Sequence, residues 1–143
     1  MILSAQQLFS DDQAITASAD STNVIDLGVP GTPFDAAAAL NRDIGKGNKV
    51  PLLCQVTAAF DNLTNLEIIL STGATTALGT AIASQTILLA DLVAGKQINL
   101  DYLPNGIIER FLGFEYVVTG TNPAAGTITA GITMGVQTNI HGA

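Results

Sequence analysis

The chain has 143 residues, with five basic and twelve acidic residues and a formal net charge of −7 at pH 7. One domain accounts for this length, and the acidic charge opposes attraction to a phosphate backbone, which makes nucleic acid a poor ligand. The chain lacks both the roughly 20-residue apolar run of a membrane helix and the basic and apolar regions of a signal peptide, so we expect neither membrane insertion nor export by that route.

The first part of the chain is expected to contain an N-terminal segment followed by short strands. Residues 1–12 are either an arm that reaches a neighbouring molecule or the first strand, and residues 13–143 form one β-sandwich domain. Alternation predicts short strands at Gln13–Ala17 and Asn23–Leu27, separated by a polar stretch. Asp35 follows as the expected cap of one short helical turn.

Period-two alternation is clearer in the middle of the chain. Val50–Phe60 is predicted to be a strand, and Leu66, Ile68 and Leu70 repeat the pattern after the turn at residues 61–62. The two strands are expected to form a hairpin.

The stretch that follows supplies one further strand. Lys96–Tyr102 alternates polar with apolar residues and ends at the turn signal of residues 104–106, which predicts a strand. Leu88–Val93 is expected to form one helical turn before Gly95.

The C-terminal third shows the clearest strand signals. Arg110–Thr119 and Thr127–Gln137 are predicted strands, joined through Gly120–Gly126 as a hairpin. Each has one apolar face. The apolar positions are Leu112, Phe114, Tyr116 and Val118 in the first strand, and Ile128, Ala130, Ile132, Met134 and Val136 in the second.

Six to eight short strands with little helix and no βαβ rhythm predict an all-β, antiparallel sandwich. A jelly roll fits this number of strands. An immunoglobulin-like sandwich remains open, because both folds bury one face of each strand.

The sequence offers no convergent set of catalytic residues. The sole histidine, His141, lies two residues from the end of the chain, and Cys54 lies within an apolar strand, where an inert buried thiol is expected. Asp101 and Glu109 are the most plausible carboxylate pair for a small hydrolase. We expect no enzyme, no cofactor and no metal site, since no cluster or spacing of metal ligands is present.

Several stretches of the sequence resemble the capsid cement proteins of short-tailed phages of the Bordetella phage type. They are residues 1–14, 21–28, 92–96, 103–106 and 116–126, so the resemblance covers most of the chain. The resemblance implies a jelly-roll domain on the outer surface of the phage head that bridges major capsid subunits and forms dimers or trimers. It also implies synthesis in the host bacterial cytoplasm.

Two segments are predicted to contact a partner. The N-terminal segment presents apolar side chains too close to the terminus to be core by default, and residues 45–49 form a basic, flexible loop that is either simply solvated or in contact with a partner. The candidate partner-binding residues are Ile2, Leu3, Leu8, Phe9, Lys46 and Lys49. The outward faces of the two C-terminal strands are further candidates.

A second function remains open at this point. A carbohydrate-binding or adhesive jelly-roll module of a tail or fibre would need exposed aromatic rings. The chain has no Trp, and Tyr102 and Tyr116 are both expected on apolar strand faces, which disfavours this reading.

Overall fold

A computed structural model describes residues 3–44, 49–98, 100 and 102–134, and these residues form an all-β fold. The candidate residues Ile2, Lys46, Asp101 and His141 lie outside this described part. One 3-10 turn, Leu89–Asp91, interrupts the strands. The strands are β1 Leu3–Ala14, β2 Ala19–Asp20, β3 Ile25–Asp26, β4 Leu52–Ala58, β5 Leu63–Gly73, β6 Thr80–Leu88, β7 Phe111–Gly120 and β8 Thr127–Thr133.

The strands form two antiparallel sheets that face each other. One sheet has the order β1-β8-β4, and the other has the order β2-β7-β5-β6 with β3 also paired to β7. The described residues of the segment 95–103 run beside β4, where the Val56 N–H donates to the Lys96 carbonyl at 2.9 Å and the Ile98 N–H donates to the Cys54 carbonyl at 2.8 Å. With this segment in the position of a fourth strand, the order is that of a jelly roll. The predicted sandwich is confirmed.

The core lies between the two sheets and follows the alternation of the sequence. Its largest contributions come from β5 and β7, in which burial alternates from Leu66 to Leu70 and from Phe114 to Val117; Ser71–Gly73 and Gly113 are buried as well. In β8 the alternation holds as far as Ala130, whereas Ile132 is half-buried and Met134, beyond the strand end, is exposed. The main buried residues are Phe9, Cys54, Val56, Leu66, Ile68, Leu70, Leu112, Phe114, Tyr116, Ile128 and Ala130.

Both predicted hairpins are wrong, because each predicted pair of strands is divided between the two sheets. The connection from β4 to β5 and the connection from β7 to β8 each cross the sandwich. Asp61 ties these crossings together, since its Oδ1 accepts hydrogen bonds from the N–H groups of Ala124 at 2.7 Å and Ala125 at 3.0 Å. Among the described strands, β5 and β6 are consecutive and form a hairpin, which was not predicted from the sequence.

Two other local predictions also differ from the structure. Residues 36–40 form no helical turn, and Asp35 has a left-handed φ of +61° in place of the extended conformation typical of a helix N-cap. The described residues of Lys96–Tyr102 form isolated bridges at Gln97 and Tyr102 in place of a continuous strand. Within the described residues, no helix has the length and apolar character needed to span a membrane.

Candidate interaction surfaces

The most prominent apolar surface is a loop between β3 and β4. We call residues 28–43 the Phe34 loop. Phe34 is fully exposed, Val29 is 74% exposed and Leu40 is 60% exposed. The loop contains no strand or helix, but it is braced internally by hydrogen bonds from the Leu40 N–H to the Gly31 carbonyl and from the Ala36 N–H to the Pro33 carbonyl.

Arg42 closes the base of the Phe34 loop. Its guanidinium donates to the carbonyl oxygens of Leu27 and Glu109, each at 3.1 Å, and also to that of Gly28. Because these carbonyls belong to the start of the loop and to the segment before β7, one side chain joins both ends of the loop to the sandwich. The exposed Phe34 is therefore presented from an anchored base.

An ion pair supports the same base. Arg110 donates through Nε and Nη2 to the two carboxylate oxygens of Asp26, at 2.8 and 2.6 Å, and the Gly28 N–H donates to Asp26 Oδ1. The hydrogen bonds from Arg110, and then the one from Gly28, lower the pKa of Asp26 from its ordinary value of 3.8 to about 2. The carboxylate is solvent-exposed, which limits the stabilisation that the pair provides.

This ion pair predicts a defined loss of stability in acid. The pKa of Asp26 is lower in the folded chain than its unfolded value of 3.8, so the ionised carboxylate stabilises the fold fully at pH values above 3.8. This stabilisation is lost as the pH falls through about 2. We expect the difference in unfolding free energy between wild type and Asp26→Asn to shrink over this interval. Urea titrations at several pH values would measure it. Arg110→Gln should show the same trend, and a difference that stays constant with pH would contradict the assignment.

The described partner-binding candidates occupy different environments. Leu3 is half-buried in β1, Leu8 is half-buried with its Cδ2 over Gly131, and Phe9 is fully buried in the core. Residues 3–14 thus form the first strand, and the Phe9 side chain is inaccessible to a partner in this fold. Lys49 is exposed, with Nζ 4.9 Å from the ring centroid of Tyr102.

Only one of the two carboxylate candidates, Glu109, lies in the described part of the chain. Glu109 is half-buried and its backbone carbonyl accepts from Arg42, while its expected companion, Asp101, lies outside the described residues. Within the described part of the chain, no group of three or more His, Cys, Asp or Glu side chains could hold a metal ion. Cys54 is buried as expected, and burial raises the pKa of its thiol to about 12.

The buried thiol predicts slow chemical labelling. The thiolate is the form of cysteine that attacks a thiol reagent. At neutral pH the raised pKa keeps Cys54 almost entirely protonated, and burial keeps the reagent away from the sulfur. We expect Cys54 to react in guanidinium at the rate of a free thiol, but at least about 100-fold more slowly in the native protein. A colorimetric time course with and without denaturant measures this, and equal rates would show that the site is open.

Phe34 was not among the residues predicted to contact a partner, although the sequence around it indicates an unusual position for an aromatic residue. Phe34 lies between Pro33 and Asp35 in a stretch without apolar periodicity, so no strand or helix face is available to bury its ring. A bulky aromatic residue in such a setting indicates either a loop anchored on the core or an exposed contact residue. The structure shows the ring fully exposed.

The fold and this surface define a jelly-roll domain with an anchored, exposed apolar loop. The family model Bbp16 matches residues 9–132, and the chain belongs to this family. The family name points to a protein of a Bordetella phage, which associates the chain with bacteriophages. No curated protein matches the chain.

Proposed function

We propose that this chain is a structural virion protein, a capsid cement or decoration protein. In this role it binds the outer surface of a phage head and stabilises contacts between major capsid subunits. The observation that carries the proposal is the Phe34 loop, which presents a fully exposed phenylalanine from an anchored base in a chain of a bacteriophage-associated family.

The energetics of the loop favour a binding role. Burying a phenylalanine side chain is worth about 1.5–3 kcal/mol, and the Phe34 loop leaves this stabilisation unused in the isolated chain. Aromatic side chains that enter a partner's pocket often dominate the binding energy of an interface. Because Arg42 already fixes the ends of the loop, less conformational freedom is lost on binding than for an unanchored segment.

The rest of the proposal concerns location and partners. The protein is made in the host bacterial cytoplasm and then occupies the outer capsid surface, where its charge of −7 faces away from the packaged DNA. Its partners are the major capsid protein and other copies of itself, as a dimer or trimer. It binds neither nucleic acid nor membrane, requires no cofactor and is not an enzyme.

Phage heads lacking this protein provide the test. We expect the purified chain to bind them and to raise their resistance to heat or chelation. Phe34→Ala should bind about 30-fold more weakly, since loss of a central aromatic contact costs about 2 kcal/mol. Cosedimentation and the temperature of head disruption are the two measurements.

A matched control separates the Phe34 contact from general surface hydrophobicity. Val93 is 52% exposed and lies in the turn before residues 95–103, so Val93→Ala removes exposed apolar surface elsewhere. It should bind like wild type. Wild-type protein that neither binds heads nor stabilises them would overturn the proposed function, whereas equal weakening by both variants would remove the special role of Phe34.

A carbohydrate-binding or adhesive module is the second candidate, because Tyr102 differs from its expected position. Tyr102 is 46% exposed, so its ring reaches the surface, whereas Tyr116 is buried as expected. The ammonium of Lys49 lies over the Tyr102 ring, which reduces the area available for stacking on a sugar. Binding to a glycan array at micromolar strength would favour this alternative.

A further inference from the structure

β6 is a sheet edge that is largely unprotected. It pairs only with β5 among the described strands, and its nine residues include no proline and no charged side chain. Proteins usually blunt a long edge with lysine, proline, bulges or a covering segment, because the unpaired backbone groups otherwise recruit another strand. β6 has a single register shift, between its pairings with Leu70 and Ser71, and is regular from Ala83 to Leu88.

The other sheet edges are protected. Residues 95–98 cover β4, and β1 contains Asp11, Asp12 and three register shifts. β2 and β3 are two residues long. Among the described strands, β6 thus has a long edge segment, Ala83–Leu88, without such a device.

A groove of about 240 Å³ follows this edge on the open side of the sandwich. Gln85–Leu88 of β6 form one wall, Lys96–Ile98 form the other, and Asp91 lies near one end. The second wall is fixed, because the Ile98 N–H donates to the Cys54 carbonyl and the Lys96 carbonyl accepts from Val56. Ile87 and Ile98, which are both buried, contribute apolar surface to the groove.

We propose that this groove binds one extended, uncharged strand of the major capsid subunit, which pairs with β6 and directs alternate apolar side chains towards Ile87 and Ile98. The inference rests on the proposed function and names its second contact. An edge of unpaired backbone groups selects an extended chain, and a two-walled groove admits a single strand more readily than the edge of a second sandwich.

Charge supports the same occupant. The groove contains one acidic and one basic side chain, Asp91 and Lys96, so it neither requires nor repels a net charge. A second copy of this chain would approach this groove as the edge of a whole sandwich that carries a net charge of −7, whereas a single uncharged strand fits between the two walls without that repulsion.

Hydrogen exchange with mass spectrometry on the full chain, free and bound to heads, tests the proposal without a substitution. Residues 80–88 should exchange at least about tenfold more slowly on heads, because edge amides gain backbone partners. Unchanged exchange on bound heads would overturn the inference. So would concentration-dependent protection of the same residues in the free protein, which would make a second copy the occupant.

A substitution gives an independent readout. Gln85→Lys places a charge in the groove, and its flexible side chain can reach solvent, so the fold should persist; head binding should weaken about tenfold. Thr119→Lys, on the exposed end of β7, is the matched control and should bind like wild type. If wild type and Gln85→Lys bound heads equally well, the groove would not be the binding site, but the proposed function would stand. If wild type did not bind heads at all, both the groove proposal and the proposed function would be wrong.

Discussion

Phe9→Ala is expected to lower the free energy of unfolding by about 3–5 kcal/mol, the range for removing a large buried aromatic side chain. Phe9 has no exposed surface, and its ring meets that of Phe114 edge-on, with centroids 5.0 Å apart and an interplanar angle of 79°. The side chain lies where β1 contributes to the core, so its loss leaves a cavity bounded by both sheets.

Leu8→Ala is the neighbouring control. Leu8 is half-buried and covers Gly131, so its truncation should cost about 1 kcal/mol. Guanidinium unfolding curves compare the two variants. If Phe9→Ala unfolded like wild type while losing affinity for heads, residues 1–12 would act as an arm and β1 would not be a permanent part of the sheet.

The alternation of apolar residues predicted strand faces well, because it reports directly on burial. Leu66, Ile68 and Leu70 in β5 are buried as expected. So are Leu112, Phe114 and Tyr116 in β7, whereas Val118 is half-buried. Partner choice was not predictable in the same way. A turn signal such as Asp61-Asn62 indicates that the chain reverses, but it does not indicate whether the next strand joins the same sheet or the facing one.

β6 was missed for a different physical reason. Its inward positions include Ala83 and Gln85, which are small or polar and only half-buried. The sequence of β6 therefore lacks the alternation of apolar and polar residues from which a strand is predicted. Such composition suits an edge strand that borders a groove. The Phe34 loop was missed because its contacts run through backbone carbonyls, which any residue type provides.

The two sheet crossings also make one glycine indispensable. Gly126 immediately precedes β8 with a φ of +130°, and a Cβ atom there would lie 2.3 Å from Phe60 Cδ1. Phe60 is buried, so its ring cannot simply swing outward, and the Gly126 carbonyl also accepts a hydrogen bond from the Ile15 N–H. We expect Gly126→Ala to destabilise the fold by about 2–6 kcal/mol, from backbone strain and overpacking together.

Two other glycines separate these causes. Gly95 has a φ of +84° with open space around it, so Gly95→Ala carries the backbone strain alone and should cost about 1–2 kcal/mol. Gly31 has open space and no such φ, so Gly31→Ala should be close to neutral. The unfolding midpoint should therefore be highest for Gly31→Ala, lower for Gly95→Ala and lowest for Gly126→Ala. If Gly126→Ala were as stable as Gly95→Ala, Phe60 and the β7–β8 crossing would be able to move apart. The close contact between the two crossings would then not be what holds this end of the sandwich together.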